Sequence, residues 1–201
     1  MSLNPRQSTE SRQAEIIATV VALAAERNPA DVTTTDIAKA MNVTQGALFR
    51  HFSNKEAIRL AVIDWVETQL MTRLGDAQAS APDVVSGLEA MFLAHVRFIR
   101  EFPGVPRLVF AELQQPDSSP VRQRVQQIMR RYRQMLAETL GKAKAAQLIS
   151  PDVDTEAASA LFLGAIQGLV MQSMLGGASS DAEVPVLGVL HLYLAGLGAK
   201  S

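Results

Sequence analysis

Apolar residues recur every three or four positions along almost the whole chain, and this spacing restricts the fold more than any other feature. Ile16, Val20 and Leu23 show it near the amino end, and Val125 and Ile128 show it in the second half. This is the period of an α-helix that turns one face toward a core. Alternating runs typical of strands are hard to find. We expect an all-α fold of about nine helices.

Composition excludes several classes of function. The 201 residues suffice for one or two domains, and the absence of cysteine rules out a disulfide framework, a thiolate metal site and a cysteine nucleophile. The net charge of −1 gives no overall attraction to nucleic acid, so any such contact must come from a local patch or from symmetry. The first six residues lack the apolar segment of a signal peptide, and we expect a cytoplasmic protein.

One stretch, residues 157–175, is mostly apolar and close to the length of about 20 residues that spans a membrane. Gln167 and Gln172 interrupt it, no Lys or Arg flanks it, and no Trp or Tyr brackets it. We therefore expect a buried helix and no membrane partner.

Residues 33–58, TTTDIAKAMNVTQGALFRHFSNKEAI, contain three signals for helix starts. Thr34, Thr44 and Ser53 are predicted N-caps, and Ser53 forms a capping-box pattern with Glu56. Asn42 stands where a tight turn needs a left-handed residue. Two short helices with a tight turn, supported by a preceding helix, are the helix-turn-helix pattern, whose second helix enters the major groove of DNA.

The residue types of this stretch suit DNA contact. Small side chains at Gly46 and Ala47 let the leading edge approach the bases, and Gln45 can both donate to and accept from an adenine edge. Hydroxyl and cationic groups can hold phosphates. The alternative is that Thr34, Thr44 and Ser53 only cap helices and that the cations are solvated surface. The predicted DNA-contact residues are Thr34, Thr35, Thr44, Gln45, Gly46, Ala47, Phe49, Arg50, His51 and Lys55.

An ordered match identifies a family that this region resembles. It reads Thr33-Thr34-x-x-Ile37-Ala38-x-x-Met41-Asn42-Val43-Thr44-x-Gly46-x-Leu48-Phe49-x-His51-Phe52-x-x-Lys55-Glu56. Residues 11–66 resemble the amino-terminal domain of the TetR/AcrR family of bacterial transcriptional repressors. The family usually has Tyr at position 49, where its hydroxyl reaches a phosphate, and Gly at position 42. Phe49 lacks that hydroxyl, so the contact is lost or moved to Arg50.

The resemblance implies two domains and a small, hydrophobic effector. We expect a DNA-binding domain over residues 1–56 and a helical ligand-binding and dimerisation domain over residues 57–201, connected by a helix at 57–74.

His95 and Gln167 are the preferred ligand contacts, because a polar group on an apolar helix face needs a partner. The alternative is plain core packing. The full predicted set is Trp65, Phe92, His95, Phe110, Met129, Tyr132 and Gln167.

The last two helices, residues 157–175 and 184–199, lack a polar face, so they must be covered on all sides. We expect a second copy to cover them, and the resemblance implies a four-helix dimer interface. The alternative is that they only fill the core of one chain. The predicted interface comprises Phe162, Gly164, Ile166, Gly168, Met171, Val189, Leu192 and Gly196.

Other classes of function have less support. Motifs of serine hydrolases, zinc proteases and P-loop proteins are absent, and the three histidines, His51, His95 and His191, are far apart in sequence. We expect no catalytic residue, metal or cofactor. A helical bundle that has lost DNA binding remains an alternative because of Phe49. The preferred hypothesis is a homodimeric, ligand-responsive repressor that binds a palindromic operator in double-stranded DNA.

Overall fold

The computed structural model describes residues 9–176 and 185–199. In these two ranges the chain forms nine α-helices, one short 3-10 helix and no strand, which confirms the expected all-α fold. The helices are α1 (Thr9–Glu26), α2 (Thr34–Ala40), α3 (Gln45–Leu48), α4 (Lys55–Ala79), α5 (Val84–Glu101), α6 (Gly104–Leu113), α7 (Pro120–Ala145), α8 (Thr155–Gly176) and α9 (Val186–Gly196), with the 3-10 turn at Pro29–Asp31.

The chain forms two compact units. The first comprises Met1–Thr68 and Glu101–Gln126, and the second comprises Gln69–Arg100 and Gln127–Ser201. In this division α6 and the start of α7 belong with the amino-terminal helices. The DNA-binding domain expected over residues 1–56 stays a prediction. The connecting helix is longer than predicted. Gly75 lies inside α4 rather than at its end, since one exposed glycine weakens a helix without ending it.

In the first unit α6 packs closely against α1. At Gly104, an added Cβ would lie 2.0 Å from the carbonyl oxygen of Val21, so the backbones meet where no side chain fits. Arg107 Nη1 donates a hydrogen bond to the Ala25 carbonyl oxygen at 2.6 Å, close to the end of α1. Glycine and arginine at these positions therefore fix α6 on the helix that supports α2 and α3.

Two ion-pair clusters hold α4 in the same unit. Arg59 Nε donates to Glu112 Oε1 of α6 at 2.6 Å, and only 5% of Glu112 is exposed. Arg124 of α7 donates to Asp64 Oδ1 at 2.7 Å and also pairs with the buried Glu67. Because an unpaired buried carboxylate is costly, these arginines allow Glu67 and Glu112 to lie inside, while Asp64 is exposed.

The core of the second unit is a chain of aromatic side chains from α5, α7, α8 and α9. Phe162 contacts Phe92, with ring centroids 5.3 Å apart, and Tyr193, at 5.5 Å, and both pairs meet edge to face. Tyr132 is fully buried beside Phe162, and Tyr193 donates its hydroxyl to the Ala158 carbonyl oxygen at 3.2 Å. Burial raises the pKa of both Tyr132 and Tyr193 above the usual range.

One helix of the described ranges, over Thr155–Leu175, is long and apolar enough to cross a membrane by length and composition alone. A buried helix of a globular core passes the same test, and Phe162, Leu163 and Ile166 of this helix are buried in the second unit.

Candidate DNA-binding site

The first helix of the predicted pair begins one residue earlier than expected. Thr33, not Thr34, is the N-cap of α2. Its hydroxyl accepts from the Asp36 backbone N–H at 3.1 Å, while Asp36 Oδ2 accepts from the Thr33 N–H at 2.9 Å. The Thr33 hydroxyl also donates to Asp36 Oδ2 at 2.5 Å, and this hydrogen bond, together with the one from the Thr33 N–H, lowers the pKa of the Asp36 carboxyl. In a run of three threonines any member could act as the cap, and the carboxylate three positions later selects Thr33.

The turn and the second helix agree with the sequence. Asn42 has a φ of 54°, the left-handed conformation that asparagine tolerates, and the Val43 N–H donates to the Ala38 carbonyl oxygen at 2.9 Å. Thr44 caps α3, and its hydroxyl accepts from the Ala47 N–H at 3.3 Å. Leu48 is 1% exposed, so it fixes this short helix to the core.

The predicted cap at Ser53 is wrong by one residue. Asn54 Oδ1 accepts from the Ala57 N–H at 2.8 Å, so α4 is capped by Asn54 and begins at Lys55. Serine and asparagine are comparable N-caps, and the pattern at Glu56 favoured the serine. Lys55 is consequently the first residue of α4.

We call the exposed surface around α3 the α3 edge. It consists of Thr44, Gln45, Gly46, Phe49, Arg50 and Lys55, all of which are exposed. Phe49 exposes 41% of its surface, although it is a large apolar side chain. Across the described part of the chain, Arg50 and Lys55 have no ion-pair partner. An added Cβ at Gly46 would meet nothing within 4 Å, so the fold itself does not require glycine there.

Several of the predicted contact residues also form hydrogen bonds within the protein. Gln45 Nε2 donates to the Thr34 hydroxyl at 2.5 Å, which links the start of α3 to the start of α2. The carbonyl oxygen of His51 accepts from Gln13 Nε2 at 3.0 Å, and His51 Nδ1 is buried without a partner among the described residues. Thr35 is exposed on α2, and Ala47 is partly buried.

The predicted ligand contacts are divided between the two units. Trp65 and Phe110 belong to the first unit, where Trp65 packs edge to face on Phe102 at 5.0 Å. Phe92, His95, Met129 and Tyr132 belong to the second unit, and His95 Nδ1 lies 3.1 Å from the Tyr132 hydroxyl. This partner was not predicted. Gln167 is exposed in the single chain, and its role as a ligand contact stays a prediction.

His95 is held neutral by its surroundings. The ring lies between the helices of the second unit, beside Tyr132, and burial lowers its pKa to about 4. At neutral pH the imidazole therefore carries no charge and can share a hydrogen bond with the Tyr132 hydroxyl.

Part of the predicted dimer interface lies elsewhere. Phe162 and Ile166 are 0% and 1% exposed in the core of the second unit, so assigning them to the interface is corrected. The exposed residues of α8 and α9 recur at helical spacing, and several were not predicted. We call this surface the α8–α9 face; it comprises Leu161, Gly164, Gly168, Met171 and Leu175 of α8 and Gly188, Leu192 and Gly196 of α9.

Large apolar groups dominate the α8–α9 face. Leu161, Leu175 and Leu192 expose 59%, 74% and 76% of their surface, while Gly164 and Gly168 have open space above them. The three- and four-residue spacing of the exposed positions could have located this face from the sequence. Because the buried sides of these helices are also apolar, composition alone did not distinguish the exposed face from the buried one.

The fold and the α3 edge define a helix-turn-helix DNA-binding protein. Among the described residues there is no group of three or more His, Asp or Glu side chains that could hold a metal. Residues 16–62 match the family model described as bacterial regulatory proteins, tetR family, and residues 110–184 match the tetracyclin repressor-like C-terminal domain. Together these segments cover more than half of the chain. The chain belongs to the TetR family; it is a DNA-binding transcriptional regulator and not an enzyme.

Individual proteins agree with this assignment. The nucleoid occlusion factor SlmA of Marinomonas sp. is 23% identical over 79% of this chain and 81% of its own length. The fatty acid degradation regulator FadR of Bacillus halodurans has a TM-score of 0.81 at 21% identity, covering 100% of both chains. FadR of Bacillus subtilis, solved in complex with stearoyl-CoA, has a TM-score of 0.79 at 21% identity over 91% of this chain and 98% of its own. At these identities the two structures show a common fold.

Proposed function

We propose that this regulator is a cytoplasmic repressor that binds a palindromic operator as a homodimer and is released by a small hydrophobic effector. The proposal that the protein binds DNA rests on the α3 edge. It combines a glycine that the fold does not require with two cations, Arg50 and Lys55, that have no partner in the described ranges. A close approach to the bases and to phosphates accounts for both features.

The α8–α9 face supports the dimer. Exposed leucines beside glycines with open space form a surface that a second helix pair can approach closely and cover. A two-fold pairing uses the same patch on both copies and presents two α3 edges to symmetric half-sites. Palindromic recognition follows from this symmetry.

The effector proposal rests on family likeness. The B. subtilis FadR structure was solved with stearoyl-CoA, whose long acyl chain is apolar and whose coenzyme A part is anionic, and this supports an effector that carries an apolar chain. Phe92, His95 and Tyr132 in the second unit are the contacts that we propose for this chain. In the proposed dimer, one spacing of the two α3 edges fits the operator and another does not. An effector can release DNA only if it binds more tightly to the dimer with the spacing that does not fit.

A gel-shift titration on the DNA upstream of this gene, at physiological salt, tests the contact residues. Lys55→Ala should weaken binding to all sequences alike, by about three- to tenfold, because it removes a phosphate contact. The exposed Lys142 of α7, which belongs to the second unit, gives the matched control, and Lys142→Ala should leave the affinity unchanged.

Gln45→Ala should change the base preference, at a cost of about 1–3 kcal/mol at one position of the site. Thr34→Ala removes the same internal hydrogen bond but keeps the amide of Gln45. A change in base preference that appears only in Gln45→Ala therefore comes from the lost contact between the amide and the base. If Gln45→Ala and Lys55→Ala both bind like the wild type, the α3 edge does not contact DNA and the proposal fails.

A further inference from the structure

A cavity of about 70 Å³ lies in the second unit among α5, α8 and α9, apart from the residues proposed for the effector. Its wall consists of aliphatic side chains, which are Val96, Ile99, Ile166, Leu169, Val170 and Val186. Such a wall offers no hydrogen bond, so a polar group inside would be unsatisfied. For scale, an apolar cavity of roughly 150 Å³ binds benzene in another protein. This smaller cavity therefore suits the end of an alkyl chain better than a ring.

The mouth of the cavity has a different chemistry. Arg100 of α5 and Ser173 of α8 both line the cavity, and both are exposed. Over residues 9–176 and 185–199 the Arg100 guanidinium has neither an ion pair nor a hydrogen bond. A guanidinium binds a carboxylate through two parallel hydrogen bonds, and a serine hydroxyl can donate a further one.

We propose that this cavity binds an unbranched alkyl carboxylate, with its carboxylate head at Arg100 and Ser173 and its chain along the apolar wall. The apolar wall selects the chain and the unpaired cation selects the anionic head. The site shares no residue with Phe92, His95 and Tyr132, so it goes beyond the proposed function. Binding here does not depend on whether the same ligand releases DNA.

Calorimetric titration of the full chain with sodium octanoate, in a buffer free of phosphate and other carboxylates, tests the site. Octanoate should bind at one site per chain. Octylammonium has the same tail and the opposite charge, and it should bind at least tenfold more weakly because Arg100 repels its head. A thermal-unfolding series run in parallel should show octanoate raising the unfolding temperature.

Variants test which residues bind the carboxylate and which contact the alkyl chain. Arg100→Gln should weaken octanoate binding at least fivefold. Arg97→Gln is the matched control, because Arg97 is exposed on the same helix and does not line the cavity; it should change the affinity less than twofold. Val186→Phe fills the cavity and should abolish binding. If that variant does not fold, Ser173→Leu blocks the mouth from an exposed position and should do the same.

Three results would overturn the proposal: no octanoate binding below its micelle concentration, equal affinity for octylammonium, or equal losses in Arg97→Gln and Arg100→Gln. Gel shifts on the same preparations separate this site from the proposed function. Octanoate binding without specific DNA binding would support the proposed site and contradict the proposed repressor function. Specific DNA binding without octanoate binding would contradict only the proposed site.

Discussion

Phe49 is the residue at which the chain departs from its family in a way that chemistry can test. Its ring is exposed at the α3 edge, where the family usually has a tyrosine whose hydroxyl reaches a phosphate. Phe49→Tyr should therefore strengthen operator binding by about 1 kcal/mol, roughly fivefold, because it adds a hydrogen bond to a charged group. Fluorescence anisotropy with labelled operator measures the change.

Phe49→Leu is the control for this substitution and should give no gain in affinity. Both variants should fold normally, since the side chain is exposed. Equal or weaker binding by Phe49→Tyr would mean that Phe49 does not face a phosphate.

His95 predicts how stability depends on pH. Its pKa of about 4 in the folded protein lies below the ordinary 6.5, so the unfolded chain binds more protons between these values. The free energy of unfolding should be highest above about pH 6.5 and should fall by about 2–3 kcal/mol as the pH approaches 4. Urea unfolding at a series of pH values measures this slope.

Two variants separate the causes of this pH dependence. His95→Gln should flatten the profile between pH 4 and 6.5, because it removes the titrating group. Tyr132→Phe should keep most of the slope, since burial and not the tyrosine hydroxyl lowers the pKa. A His95→Gln profile as steep as that of the wild type would show that other groups cause the acid sensitivity.

At the residue scale the sequence located the turn at Asn42 and the cap at Thr44, but it missed two caps by one position. Thr33 and Asn54 are capping residues beside others of equal quality, Thr34 and Ser53. Local preference cannot choose between neighbours of similar free energy. The hydrogen bond between Gln45 and Thr34 depends on the packing of α2 against α3, which the sequence pattern does not specify.

At the scale of elements, the contact of α6 with α1 determines where the first unit ends. Gly104→Ala should destabilise the protein by about 3 kcal/mol, because the added methyl group would overlap the Val21 carbonyl oxygen. Gly141→Ala is the matched control, since nothing lies within 4 Å of its added Cβ on α7. That substitution should stabilise the protein by about 0.5–1 kcal/mol.

Chemical unfolding followed by circular dichroism measures both glycine variants. Equal stabilities of Gly104→Ala and Gly141→Ala would contradict the close approach of α6 to α1.

Most helices were predictable from a clear apolar period, from Ile16 in α1 to Leu140 in α7, whereas α8 and α9 were predictable from their continuous apolar runs. Their assignment to units was not. Arg59 and Glu112 are 53 positions apart, and nothing in either local pattern pairs them. Long-range ion pairs of this kind place α6 with the first part of α4 in the first unit.

For the whole molecule, the α8–α9 face determines the state of association. Leu192 is 76% exposed, so Leu192→Glu should leave the fold of one chain intact while placing a charge in the proposed interface. Sedimentation should show a dimer for the wild type and a monomer for this variant. Leu113→Glu is the control, because Leu113 is an exposed leucine of α6 outside the face. A wild type that sediments as a monomer at micromolar concentration would overturn the dimer.

Whether the protein is a dimeric operator-binding regulator is tested most directly by footprinting the wild type on the DNA upstream of its own gene, at physiological salt. Two protected half-sites, related by two-fold symmetry and about one helical turn of DNA apart or a multiple of it, are the predicted result. Uniform protection along the fragment, or none at concentrations that saturate the dimer, would contradict specific recognition by two α3 edges.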